Sequence, residues 1–259
     1  MNREWLVTDS DFARRWQRRF VQRGATLEDD AGIAGWTPTG LASRFRQFRQ
    51  LWENVEPPPG HWLDLGCGAG TYTRYLHEGG RKAVGLDYSQ PSLHKARQRT
   101  SVDIPWVAGD AQRLPFGDDR FDGVLCLGVL QALPEARPAL AEMARVVRPG
   151  GEIWVDALNA RCLPNALGEW RRKRAGRPAH LRYDDYTTVT GELEALGLEV
   201  RQVAWLLLLP GRLGRLQLWA EGGLVRSAMR ILPGAEGRFC HSFLVQGRVR
   251  ESSRGWSSE

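Results

Sequence analysis

Asp64, Gly66, Gly68 and Gly70 stand close together in Leu63-Asp64-Leu65-Gly66-Cys67-Gly68-Ala69-Gly70, and Asp87 follows at the end of the apolar run Ala83-Val84-Gly85-Leu86. This order reads as a buried strand, a turn where backbone can approach a ligand, a helix start, and a second strand ending in a carboxylate. Such a layout suits a nucleoside cofactor. The dinucleotide fingerprint would need G-x-G-x-x-G, but position 71 is Thr, so the glycines run G-x-G-x-G behind Asp64. A pyrophosphate would rest on amides at a helix N-terminus. This tighter turn, with a carboxylate two residues before its first glycine, fits a cofactor that lacks phosphates and carries positive groups, as S-adenosylmethionine does.

Further stretches agree: Val84-Gly85-Leu86-Asp87-Tyr88-Ser89, Gly109-Asp110-Ala111-Gln112-Arg113-Leu114-Pro115-Phe116, Phe121-Asp122-Gly123-Val124-Leu125-Cys126, and Leu140 to Val147 running into Arg148-Pro149-Gly150-Gly151. With these, residues 60 to 158 resemble the class I S-adenosylmethionine-dependent methyltransferases, type 11 group. The resemblance implies a Rossmann-like α/β fold, a doubly wound sheet of seven strands with the last antiparallel. It implies S-adenosylmethionine as cofactor, bound by Asp64, Gly66, Cys67, Gly68, Gly70, Asp87, Tyr88, Asp110, Ala111 and Leu127. Within that set Asp64 would hold the turn and the cationic end of the methionine. Asp87 would accept from both ribose hydroxyls, a bidentate role that Asn or Ala could not fill equally. Asp110 would bond the adenine amino group, with the Ala111 amide near the ring.

The acceptor side is less legible. Many type 11 members carry a His-His pair after the fourth strand, where this chain has Gln131 and Ala132. An imidazole base is therefore absent there, and Gln131 could only orient a group. His180, Tyr183, Asp184 and Tyr186 are alternative bases in an expected cover, with His241 on the last strand; His180, Tyr183 and Gln131 are the expected catalytic residues. Transfer to an amine or an acidic phenol needs little base help.

The elements that must place these groups can be read from pattern. Strands are expected near 61 to 65, 82 to 87, 104 to 108, 121 to 127 and 151 to 157, with helices near 70 to 79, 90 to 99 and 136 to 147. Phe12, Trp16 and Phe20 form one stripe on a basic helix, Leu41, Phe45, Phe48 and Trp52 mark a second, and Pro57-Pro58-Pro59-Gly60 breaks the chain. Residues 1–59 are expected to form a helical lid and 60–259 the catalytic domain, with substrate-cover insertions near 159–185 and 210–237. Regularity lapses after Leu158 until a helix over Tyr186 to Gly197, followed by strands over 198 to 209 and 239 to 250.

Composition bounds the rest. The chain has 259 residues, 42% of them apolar and 25% charged, as in a soluble globular protein. No segment suits a membrane span, and no signal-peptide plan is visible, so a cytoplasmic location is expected. Four cysteines without a C-x-x-C pair indicate neither a zinc site nor a disulfide framework, and no metal is expected. The last third, residues 161 to 259, carries 16 basic against 10 acidic residues, densest at Arg171-Arg172-Lys173-Arg174 and Arg177.

Three functions are open: methyl transfer to a small organic acceptor such as a biosynthetic intermediate, quinone or lipid-like compound; methyl transfer to RNA; and a catalytically silent cofactor-binding partner. Trp5, Trp16, Trp36, Trp205 and Trp219 would line an apolar pocket and favour the first. The basic run keeps nucleic acid open, and Leu206 to Leu209 with residues 216 to 229 keep peripheral membrane contact open. A monomer or a homodimer is expected.

Overall fold

The structure, a computed structural model, describes residues 11–101, 103–177, 180–209, 211–232 and 234–251. Five apolar runs pair side by side as parallel strands: β1 (His61–Leu65), β2 (Lys82–Asp87), β3 (Trp106–Ala108), β4 (Phe121–Cys126) and β5 (Val147–Leu158). With β6 (Leu198–Leu206) and β7 (Ser242–Val249) they form a seven-stranded sheet among the described residues, in the order β3-β2-β1-β4-β5-β7-β6. β7 runs antiparallel to both neighbours. This is the doubly wound α/β architecture expected. The strand order reverses between β1 and β4, so the crevice beyond their carboxyl ends is where such a sheet takes a ligand.

Helices α1 (Asp11–Thr26), α2 (Asp30–Ala34), α3 (Pro38–Val55), α4 (Thr71–Glu78), α5 (Gln90–Gln98) and α6 (Arg137–Val146) precede or alternate with the parallel strands. Then come α7 (Leu163–Arg174), α8 (Tyr186–Ala195), α9 (Gln217–Ala220), α10 (Gly223–Ile231) and α11 (Ala235–Phe239). Because strand side chains alternate in direction, β1 divides two cores. Leu63 and Leu65 join a cluster completed by Leu140 and Met143 of α6 and Val189 and Leu193 of α8. Trp62 joins the opposite cluster with Phe48 and Trp52 of α3 and Leu76 of α4. Ring centroids of Trp52 lie 4.7 Å from Trp62 and 5.1 Å from Trp154, so α3 is built into the sheet's second layer.

Pattern reading misses α2, α7 and α11. α7 occupies part of the segment expected to be irregular; Asn165 is its buried residue, so no core stripe announces it. α2 has five residues, fixed by its ends: the Asp29 side chain accepts from the Gly32 amide, and Gly35 at φ 81° closes it. The expected strand over 198 to 209 stops at Leu206, and that over 239 to 250 begins at Ser242.

Candidate cofactor and acceptor site

The turn after β1 is bent over the tip of β2 by its own backbone. The Gly66 and Cys67 amides both donate to the Leu86 carbonyl, at 2.7 and 3.0 Å. Gly66 has φ 76°, and a Cβ there would come within 2.2 Å of Val129 Cγ2. Only glycine fits. Gly68 has φ 54° and lines the cavity, and no protein atom beyond its two chain neighbours lies within 4 Å of where its Cβ would stand. Gly70 lies away from the cavity and lets the start of α4 approach the Trp106 ring.

Asp87 ties this turn to β2. Its Oδ2 accepts the Gly68 amide at 2.9 Å and its Oδ1 the Ser89 amide at 2.8 Å. Burial pushes the Asp87 carboxyl above the usual carboxylate range, and those amides pull against it. Each oxygen keeps a second lone pair for a ligand hydroxyl. Asp110 sits at the next strand end, with Oδ1 accepting the Gln112 amide at 2.9 Å and its side of the chain lining the same cavity. Asp64 lies beneath the turn, 2% exposed, and its Oδ2 accepts the Thr73 hydroxyl at 2.5 Å. Burial pushes its pKa up to about 7, against the Thr73 hydrogen bond. Asp64 therefore braces the turn from below and does not line the cavity.

The cavity, about 280 Å³, runs from Asp110 past Asp87 and the glycine turn to an aromatic end. Its cover comes from α1 to α3. Trp16 and Phe20 of α1 close one side, and the Tyr88 hydroxyl pins that helix by donating to the Trp16 carbonyl at 3.2 Å. Trp36, Leu41 and Arg44 close the other end with Tyr72 of α4. No residue of 159–185 or 210–237 is among the lining residues. Trp16 and Trp36 thus line the cavity as expected of cover tryptophans. Trp205 instead packs on Tyr186 and Phe243, and Trp219 is 72% exposed. Trp5 lies outside the described residues.

Arg44 and Tyr72 were not singled out by the sequence, since each sits on an apolar helix face whose pattern reads as core. The Arg44 guanidinium, 3% exposed, forms an ion pair with buried Asp156, donates to Ser242 Oγ at 3.1 Å and lies 4.3 Å from the Trp36 ring centroid. The Tyr72 hydroxyl has no protein hydrogen-bond partner among the described residues, and burial pushes its pKa up to about 12.

The residues expected to act on the acceptor are elsewhere. His180 stacks beside Trp16 at 5.4 Å, its Nδ1 lies 3.0 Å from Arg19 Nη1, and it is outside the cavity lining. Burial and the neighbouring arginines lower its pKa. Tyr183 is also outside the lining, with its phenol pushed up by burial. Gln131, 4% exposed, is packed under the loop after β4, while Gly128, Val129 and Leu133 of that loop face the cavity. His241 lies behind Trp36, at 5.9 Å between rings, and burial holds its pKa down at about 4. Among the described residues no histidine lines the cavity, and no cluster of His, Cys, Asp or Glu could hold a metal. The four cysteines are free and buried.

Residues 63–155 match a methyltransferase domain family. This is the span from β1 to β5 that carries the turn, Asp87 and Asp110. Demethylmenaquinone methyltransferase of Renibacterium salmoninarum is 42% identical over 93 residues, which are 36% of this chain and 39% of that protein. Fatty-acid O-methyltransferase of Mycolicibacterium smegmatis is 36% identical over 156 residues, 56% of each. The chain spans between 22% and 56% of the length of these and similar curated relatives. Among solved structures, magnesium protoporphyrin IX methyltransferase of Synechocystis PCC 6803 with bound SAH superposes with a TM-score of 0.61 at 14% identity, covering 92% of this chain and 100% of that one. That likeness is one of fold. Within the matched span, the glycine turn and the two strand-end carboxylates form one wall of the cavity, and the aromatic end is built largely from α1 to α3, outside that span.

Proposed function

We propose that this protein transfers the methyl group of S-adenosylmethionine to a small organic acceptor held in the aromatic end of the cavity. One observation carries the reading. A carboxylate fixed by two amides, beside a glycine turn whose Gly68 faces empty space, opens directly onto an apolar chamber closed by Arg44 and Tyr72.

The residues fit the cofactor. Asp87 keeps lone pairs for two ribose hydroxyls, Asp110 and Ala111 stand where an adenine edge would be met, and the Gly66 to Ala69 backbone gives close approach. Asp64 acts on the turn through Thr73. The cofactor supplies a methyl already activated on a sulfonium, so the chain's task is alignment and exclusion of water. Trp16, Phe20 and Trp36 exclude water. The Tyr72 hydroxyl and the Arg44 guanidinium offer donors to an acceptor oxygen, and at its raised pKa Tyr72 stays protonated. With no imidazole at the cavity, the acceptor is one that gives up its proton easily or has none to give, such as an acidic phenol, a carboxylate or an amine. Residues 1–59 serve as the lid of a catalytic domain over 60–259.

Incubation with cell extract and cofactor labelled in its methyl group tests this. Label is expected in a small organic-soluble product. Label that stays with RNA until nuclease treatment would overturn the small-molecule reading.

A further inference from the structure

Eleven of the thirteen exposed large apolar side chains among the described residues lie on two segments, 163–170 and 213–239. We propose that these segments form one face that docks on the surface of an anionic lipid bilayer.

α9 shows that the exposure is built in. Its inward side is seated by polar contacts beside the small Ala220: Gln217, 4% exposed, donates to the Leu207 carbonyl at 2.8 Å, and the adjoining Glu221 accepts from Ser43 at 2.6 Å and Arg46 at 2.9 Å, both on α3. Its outward side is apolar, with Leu218 68% and Trp219 72% exposed. A helix seated by hydrophobic burial has the reverse arrangement. Turning Leu218 and Trp219 inward would strip Gln217 and Glu221 of their partners, a loss that buried polar groups resist.

The neighbouring elements extend the face. On α10 Leu224 is 90% exposed and Ile231 78%. α7 presents Leu163, Leu167 and Trp170, one helical stripe at intervals of four and three. The segment leading into α7 is joined to α11 where Asn159 Nδ2 donates to the Gly237 carbonyl at 2.7 Å and Cys162 Sγ approaches the Phe239 carbonyl at 3.8 Å. Leu206 to Leu209 do not belong to it: Leu206 is paired with Ser242 in the sheet and 4% exposed, and the Leu209 amide donates to Gln217.

Charge selects the occupant. Residues 211 to 239 contain five arginines against two glutamates, one of them Glu221, which points inward; residues 163 to 177 contain five basic residues against one glutamate. Exposed apolar side chains interspersed with arginine along these segments match the boundary between acyl chains and anionic headgroups, where tryptophan is at home. A two-fold contact with a second copy would set this charge against itself. No helix among the described residues is long and apolar enough to cross a membrane, so the contact is peripheral. The face borders α3, whose Leu41 and Arg44 line the cavity. Docking therefore places the aromatic end beside the bilayer, a consequence that rests on the proposed function, although docking itself does not.

Sedimentation of the full chain with vesicles of equal phosphatidylcholine and phosphatidylglycerol, beside pure phosphatidylcholine, tests the proposal. The protein is expected to pellet with the anionic vesicles and to remain in solution with the neutral ones. Leu218→Ser/Trp219→Ser and, separately, Arg212→Glu/Arg215→Glu should each lower partitioning by about tenfold or more, with thermal melting and S-adenosylhomocysteine affinity unchanged. Unchanged affinity in the variants separates a failure of docking from a failure of the cofactor site. Equal pelleting of wild type and variants would overturn the proposal, as would no pelleting of the wild type. Self-association abolished by Leu218→Ser/Trp219→Ser would also overturn it and assign the face to a second copy.

Discussion

The Asp87 carboxylate accepts the Gly68 amide at 2.9 Å, so the turn that follows β1 is held by the tip of β2. A ligand hydroxyl bound at Asp87 therefore also reports the position of the turn. In wild type, the 2′-deoxy analogue of S-adenosylhomocysteine should bind about tenfold more weakly than the parent, about 1.4 kcal/mol. In Asp87→Asn one oxygen is replaced by a donor that faces an amide, and the two ligands should bind alike. Calorimetric titration of both ligands against both proteins measures this.

Gly66 and Gly68 share a positive φ but differ in what surrounds them. Gly66→Ala drives a methyl into Val129 and should cost more than about 2 kcal/mol in urea unfolding. Gly68→Ala meets open space and should cost only about 1 kcal/mol of backbone strain, while placing its methyl in the cavity. It should stay folded and lose S-adenosylhomocysteine affinity.

This contrast shows how much the letters carried. The strand-turn-strand pattern set Asp87 and Asp110 at strand ends and Gly66 and Gly68 in the turn beside the cavity, because strand ends and tight turns are local properties; Gly70, expected to bind the cofactor, instead packs on Trp106. Asp64 is expected to hold both the turn and the cationic end of the methionine; the structure shows it bracing the turn, away from the cavity lining, because its spacing is equally that of a residue one step down the strand and its partner Thr73 comes from the next helix. The helical lid expected over 1–59 does cover the cavity through α1 to α3, whereas the expected cover insertions at 159–185 and 210–237 do not reach it. Which segment lies over a sheet depends on packing across long sequence distances, such as the Tyr88 hydroxyl on the Trp16 carbonyl, and no period encodes that. Arg44 escaped notice because its buried partner, Asp156, lies 112 positions further along the sequence.

Asp64 should give stability a pH dependence. Its folded pKa of about 7 lies above the usual value of 3.8, so the folded chain holds a proton that the unfolded chain releases between those values. The contribution is fully present below about pH 4 and is lost as the pH rises through 7, by at most about 4 kcal/mol. Asp64→Asn should flatten this part of a plot of unfolding free energy against pH; an unchanged slope would remove Asp64 as its source.

Arg44 and Asp156 form a buried ion pair at the acceptor end. Arg44→Met should destabilise the chain by about 3 to 5 kcal/mol, because it leaves an uncompensated buried carboxylate, and Arg44→Met/Asp156→Asn should recover a large part of the loss. Urea unfolding of the single and double variants checks both values.

Tyr72→Phe removes only a hydroxyl that has no protein partner among the described residues. Stability and S-adenosylhomocysteine affinity should be unchanged, and turnover of the methylated acceptor should fall by roughly tenfold or more. Unchanged turnover would remove Tyr72 from the acceptor contacts.

The most direct test of the cofactor site is calorimetric titration of the folded wild-type chain with S-adenosylhomocysteine. The account predicts saturable binding to one site per chain, weakened by at least about tenfold in Asp87→Ala. A folded wild type that shows no binding would contradict it.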